Sequence, residues 1–146
     1  MDVALRPFLR RKYLLTRSEK SFYNVLRRVV GGNTVLAKVR LADLVEADKR
    51  HRLCQANFRR ICSKHIDFVI CDPALSPIIA IELDDSSHRH PDRVTRDRDV
   101  NRILEIAALP ILRVPVCRAY DAADLESQLL GKLGRPGQSR RAQIEG

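Results

Sequence analysis

The stretch His65–His88, H-I-D-F-V-I-C-D-P-A-L-S-P-I-I-A-I-E-L-D-D-S-S-H, decides how this chain is read. Two apolar runs, 66–71 and 78–83, flank a short segment carrying Asp72, Pro73, Ser76 and Pro77. Apolar runs of that length, separated by turn formers, predict strand–turn–strand. Side chains alternate along a strand, so His65 and Asp67 share a face, and so do Glu82 and Asp84. Antiparallel pairing sets Asp67, near the start of one strand, close to Glu82, near the end of the other. If the faces match, three carboxylates converge at one end of the hairpin. Carboxylates buried together repel and cost several kcal/mol unless paired or metal-bound. A hard divalent cation on oxygen ligands is the simplest way to hold them.

The segments around the hairpin complete a pattern. Thr16-Arg17-Ser18-Glu19 fits a capping box. Behind it Phe22, Val25, Leu26, Val29 and Val30 recur at helical spacing, and Gly31-Gly32 ends the helix. Glu19 therefore has a structural role as the reciprocal cap. Residues 34–41 read as a strand with Val35, Ala37, Val39 and Leu41 on one face. Residues 42–61 mix charges of both signs with scattered apolar positions and predict one or two short helical turns and a loop. After the hairpin comes a polar loop, and Asp92 is placed to cap a helix with Val100, Ile103, Leu104, Ala107 and Ala108 on its apolar side. Pro110 marks the helix exit. Residues 111–116 form a short strand, in which Pro115 signals an edge or an early end. Asp121 caps a last helix carrying Leu125, Leu129, Leu130 and Leu133. The order helix, strand, strand, strand, helix, strand, helix combines a hairpin with a crossover. It predicts an α/β protein with a mixed central sheet flanked by helices.

Composition bounds the partners. The 146 residues suffice for one domain with a core, and 45% are apolar. The formal charge of +9 points to a polyanion, nucleic acid before an anionic membrane surface. Solvated surface arginines are the plainer explanation of the same excess. Aromatic residues are few and Trp is absent, which argues against a binder built on base stacking. Cys54, Cys62, Cys71 and Cys117 include no CxxC pair, so a zinc site is not expected. Reduced thiols in a cytoplasmic protein are expected, with Cys71 a small buried hydrophobe. No apolar run has the length of a membrane span, and residues 1–13 form a basic arm without the apolar stretch of a secretory signal. Residues 134–146 lack periodicity and read as a disordered basic tail.

With an acid on its second strand and acid-x-acid on its third, the chain resembles the restriction-endonuclease-like, PD-(D/E)XK, nuclease superfamily. More narrowly it resembles the DUF2726 family, akin to the DUF559 and very-short-patch-repair-type endonucleases. The match rests on Ser18-Glu19, on H-I-D-F-V-I at 65–70, on I-E-L-D-D-S-S-H at 81–88, on the Arg96–Asp99 helix and on L-P-I-L-R-V at 109–114. It spans roughly residues 14–118, within a domain read as 14–133. The resemblance implies an αβββαβ core and a metal-dependent nuclease acting on DNA. It makes Asp67 and Glu82 the ligands of Mg2+ (or Mn2+), helped by the Leu83 carbonyl, with Glu19 an auxiliary acid. The superfamily lysine two residues beyond the second acid is here Asp84. His88 is the matching candidate to replace it, with Lys64 and His65 behind it.

The chemistry is coherent with that set. Phosphodiester hydrolysis needs an activated water, neutralisation of phosphate charge and a stabilised leaving oxygen, all of which carboxylate-held Mg2+ supplies. Imidazole titrates near neutrality, which suits His88 to proton transfer. Arg96 and Arg113 could bind phosphate as forked donors, and Lys64 as a point charge. Each has a plainer explanation: Asp84 in a turn, His88 in a polar loop, the arginines of the second long helix in i,i+4 ion pairs, and Arg113 bridging acids within the sheet. Asp67 and Glu82 fit a surface strand end less well, because both interrupt runs that look buried. The alternative function is a catalytically inactive nucleic-acid-binding module on the same fold.

Overall fold

The computed structural model describes residues 6–85 and 90–134. Its elements in chain order are α1 (Arg17–Val29), β1 (Thr34–Arg40), α2 (Leu41–Leu44), α3 (Cys54–Cys62), β2 (His65–Cys71), β3 (Pro77–Asp84), α4 (Pro91–Ile106), β4 (Ile111–Pro115) and α5 (Ala122–Leu133). The four strands form one sheet in the order β1-β2-β3-β4. β1 and β2 pair antiparallel, as do β2 and β3, whereas β3 and β4 are parallel. A parallel neighbour cannot be reached by a tight turn, and α4 supplies the crossover. The fold is thus mixed α/β, a four-stranded mixed sheet flanked by helices, as the element order predicts.

Local chemistry explains the boundaries. The Thr16 hydroxyl accepts from the Glu19 N–H and the Glu19 carboxylate accepts from the Thr16 N–H, both at 3.2 Å, which closes the capping box of α1. The hairpin turns on Asp72, whose carboxylate accepts from the Ala74 and Ser76 N–H groups. Asp121 caps α5 by accepting from the Asp124 N–H. The cap of α4 differs from expectation: His90, not Asp92, is the N-cap, its ring Nδ1 accepting from the Asp92 N–H. Pro91 takes the first helical position, where its missing N–H costs nothing, and this moves the cap one residue ahead of it. The strand expected over 34–41 stops at Arg40, and Leu41 opens α2.

Two clusters cover the two faces of the sheet. On one face Phe22 and Leu26 of α1 and Leu125 and Leu129 of α5 pack on Phe68, Ile70, Ile79, Ile81, Leu83, Leu112 and Val114. On the other, Leu41, Ile61, Val100 and Leu104 pack on Ile66, Val69, Cys71 and Ala80. The single face expected for Val35, Ala37, Val39 and Leu41 is corrected by this division. Val35 and Ala37 join the first cluster, and Val39 and Leu41 the second. β2 switches at the same level, Phe68 joining the first cluster and Ile66 the second. Between them lie Lys38 and Asp67, opposite each other by the register Ala37↔Phe68 and Val39↔Ile66. Lys38 has φ 53°, a left-handed conformation that breaks the alternation of β1.

His88, with the polar loop around it (86–89), and the tail from 135 lie outside the described residues, as do residues 1–5 of the N-terminal arm. The described cysteines are all free, with Cys71 buried. No helix among the described residues is long and apolar enough to cross a membrane. Phe68 is fully buried and its ring lies 5.5 Å from that of Phe22, tying the sheet to α1. Phe68→Ala is expected to lower unfolding stability by about 3–5 kcal/mol in urea titration; a loss under about 1 kcal/mol would contradict its place in the core.

Candidate functional site

The backbone ladder between β2 and β3 runs from Cys71↔Pro77 to Phe68↔Ile81. At the next level, side chains take over. The Asp67 N–H donates to Glu82 Oε1 at 3.1 Å, and the Leu83 N–H donates to Asp67 Oδ2 at 2.9 Å. Beyond this point β2 stays paired with β1 as far as Arg40↔His65, while β3 stays paired with β4 as far as Asp84↔Pro115. The two central strands part company, and each carboxylate satisfies a backbone N–H on the strand opposite its own. Shielded N–H groups need partners, and the fork supplies them because a side chain with an acceptor oxygen stands at each position.

The pair is electrostatically costly. Glu82 is the one charged side chain in the core among the described residues, at 5% exposure. Burial, and next the charge of Asp67, push its pKa up to about 7, against the pull of Arg96, the Asp67 N–H and Arg113. Burial also raises Asp67; the Leu83 N–H opposes the rise, Glu19 adds to it, and Lys38 and Arg96 oppose it. Ionisation is thus disfavoured at both acids, at Glu82 by burial and Asp67, and at Asp67 by burial and Glu19. The second oxygen of each, Asp67 Oδ1 and Glu82 Oε2, takes no hydrogen bond from a described residue. No buried side-chain polar atom lacks a partner among the described residues, so Glu82 Oε2 reaches the surface.

Glu19 caps α1 and also forms an ion pair with Lys38, Oε2 to Nζ, at 3.3 Å. Burial pushes Glu19 upward, but the Thr16 bonds and the Lys38 charge together hold it below the usual range. The helix cap thereby fixes an acid whose charge is felt at Asp67. Lys38 itself holds a left-handed conformation in mid-strand, which costs about 1–2 kcal/mol for a residue with a side chain. Nothing in the alternating pattern of β1 signalled this residue, since a lysine on the open face of an edge strand is ordinary.

Asp84 does not join the acid pair. Its Oδ1 pairs with Arg113 Nη1 at 3.1 Å. Arg113 also donates to Asn101 Oδ1 through Nε (3.1 Å) and Nη2 (2.9 Å), and faces Asp97 at 3.6 Å. It bridges acids across β3, β4 and α4, the plainer of its two sequence readings. Arg96 donates to the His65 carbonyl at 2.8 Å and pairs with Asp97 at 3.3 Å. Lys64 pairs with Asp99 at 3.3 Å and bonds the Arg60 carbonyl, and Arg60 also pairs with Asp99. The three residues expected at phosphate are thus held within the protein. A cleft of ≈ 280 Å³ opens beside Asp84, bordered by Arg93, Asp97, Arg98, Asn101 and Arg113. Arg93 and Arg98 are exposed there and have no ion-pair partner among the described residues. In sequence Arg93 and Arg98 stand with Arg96 among the arginines of the second long helix, and nothing there marks them off.

Among the described residues no group of three or more His, Cys, Asp or Glu side chains assembles as a ready metal cage. Comparison with known families is specific on one point: the family model described as "Protein of unknown function (DUF2726)" matches residues 11–133. The chain belongs to the DUF2726 family. Neither a curated protein nor a solved structure matches this DUF2726 chain significantly.

The raised pKa of Glu82 has a thermodynamic consequence. The folded state keeps a proton that the unfolded chain releases from pH 4.5 upward, so Glu82 costs stability as pH rises from 4.5 to about 7. Glu82→Gln keeps an oxygen for the Asp67 N–H and removes the charge. The variant is expected to equal wild type near pH 4 and to exceed it by about 2–3 kcal/mol at pH 8. Urea titrations of both proteins at the two pH values check this; a difference that does not change with pH would refute it.

Proposed function

We propose that this DUF2726 domain is a metal-dependent endonuclease that hydrolyses DNA phosphodiester bonds, built on a restriction-endonuclease-like αβββαβ core. The observation that carries the reading is the Asp67–Glu82 pair at the fork of the central strands, a half-buried and a buried acid of raised pKa with no ion-pair partner among the described residues. Structural carboxylates are usually placed where their ionisation is favoured; costly ones mark working sites.

The donor set fits Mg2+ or Mn2+. Asp67 Oδ1 and Glu82 Oε2 are the two oxygens left over after the fork's backbone bonds, and the Leu83 carbonyl belongs to the same strand level. Mg2+ takes one or two protein carboxylates and completes its shell with water and phosphate oxygens, so a cage of three or more side chains is not needed. When bound, the ion lowers the pKa of water and offsets phosphate charge. The chain's own residues do the rest. The reciprocal backbone bonds hold both acids in one orientation. Glu19, fixed by the α1 cap, adds negative charge near Asp67. Arg93 and Arg98 offer guanidinium groups to the DNA backbone beside the site. His88, which lies outside the described residues, is the candidate to carry the proton of the attacking water, since an imidazole side chain suits proton transfer near neutral pH. Net charge of +9 favours association with a polyanion.

One observation favours the alternative, a catalytically inactive nucleic-acid-binding module. Asp84 stands where the superfamily pattern has its lysine, and it is neutralised by Arg113 rather than directed to the acids. The two readings part on one experiment. Supercoiled plasmid and single-stranded DNA are incubated with Mg2+ or Mn2+ and with wild type or Glu82→Gln. The nuclease reading expects metal-dependent products from wild type and a loss of at least about 100-fold in the variant. It also expects Mg2+ to raise the thermal midpoint of wild type at pH 8 and not that of the variant. Equal cleavage by both proteins would overturn it. Salt-sensitive binding of DNA with no products on either substrate would establish the alternative.

A further inference from the structure

One cation beside the acid pair is held in a backbone conformation its side chain disfavours. Among the described residues three non-glycine positions have positive φ: Leu75 in the hairpin turn, Ala108 at the exit of α4, and Lys38 in the middle of β1. The first two reverse the chain. Lys38 does not, and the register is the same on both sides of it, Ala37↔Phe68 and Val39↔Ile66, so no inserted residue accounts for the conformation. The conformation marks the level at which β1 passes from one core to the other, and it sets the Lys38 side chain at that boundary, opposite Asp67.

Its surroundings say what the side chain could do. Lys38 lies opposite Asp67, and its charge acts on that carboxylate. Its one bonded partner among the described residues is Glu19, at 3.3 Å. Glu19 is itself anchored by Thr16, so the ammonium is tethered to a fixed point. An ammonium has three donors, and the Lys38 side chain is 42% exposed, so donors remain for a ligand. The other cations whose charges act on the two acids are committed, Arg96 to His65 and Asp97, and Arg113 to Asp84 and Asn101.

Resting on the nuclease reading above, we propose that Lys38 is the phosphate-binding cation of the acid site, donating to a non-bridging oxygen of the phosphodiester held at Asp67 and Glu82. It brings a fixed positive charge to the acid cluster from β1, the strand on the far side of β2 from Glu82. Glu19 holds it in place between substrates.

The test uses Lys38→Asn and Lys38→Arg. Asn tolerates the left-handed conformation and removes the charge, whereas Arg keeps the charge. Three quantities are read: thermal midpoint, metal-dependent cleavage of plasmid, and the salt dependence of duplex DNA binding in EDTA. The expectation for Lys38→Asn is an unchanged midpoint, cleavage down about 100-fold, and a salt slope shallower by about 0.9. Lys38→Arg is expected to restore the slope. If Lys38→Asn cuts and binds like wild type while Glu82→Gln is inactive, the nuclease reading stands and the assignment of Lys38 falls. If the midpoint, cleavage and binding all fall together and Arg restores none of them, Lys38 is structural and the proposal is overturned. If wild type binds DNA without cutting it, the slope decides: shallower in Lys38→Asn supports a phosphate contact, unchanged removes it. If wild type neither binds nor cuts, both readings fall.

Discussion

The structure depends on a reciprocal exchange between two acids. Asp67 accepts from the backbone of β3, and Glu82 accepts from the backbone of β2. Each replaces a ladder bond that the parting strands can no longer make. Burial disfavours ionisation of both, and the charge of Asp67 adds to it at Glu82, yet neither oxygen can be removed without leaving a part-buried N–H unpaired. The fork thus ties a destabilising charge pair to the integrity of the sheet. Such a coupling is hard to explain as a contribution to stability.

The surrounding architecture serves the same place from both sides. The cap of α1 fixes Glu19, and Glu19 fixes Lys38. On the opposite side, Arg113 clamps Asp84 to α4 through Asn101 and Asp97, and Arg96 clamps α4 to the start of β2 through the His65 carbonyl. These guanidinium groups act as braces. They hold the crossover helix against the strand ends and leave the acid pair open to the outside through its remaining oxygens. The exposed Arg93 and Arg98 lie one helical turn or less from Arg96, which places positive charge with no ion-pair partner among the described residues in the cleft beside Asp84.

Lys38 and Asp67 mark a level at which the sheet changes character. Phe68 and Ala37 look to the layer of α1 and α5, Ile66 and Val39 to that of α3 and α4. A strand with ordinary alternation keeps alternate residues on one side. The left-handed backbone at Lys38 breaks that rule in β1, and β2 follows. One strained residue therefore lets a single short strand contribute to both cores, while its side chain remains at the boundary between them.

The sequence by itself determined much of this protein. Apolar runs bounded by turn formers, the capping box at Thr16 and the leucine spacing of α5 encode the element order, because they act through local backbone and side-chain preferences. The same logic brought Asp67 to Glu82, since hairpin register follows from the turn. It failed where partners lie far apart in the chain. That Asp84 is taken by Arg113, 29 residues on, and that Arg96 spends a donor on the His65 carbonyl, are consequences of how α4 lies against the sheet. The cap at His90 was missed because Pro91 moves the helix start, a local effect that outranked the better-known capping residue Asp92. Lys38 is the clearest case. In sequence it is a solvent-facing lysine in an alternating strand, and only the tertiary structure, by demanding that β1 cross from one core to the other at Asp67, sets it in a left-handed conformation with its ammonium on Glu19.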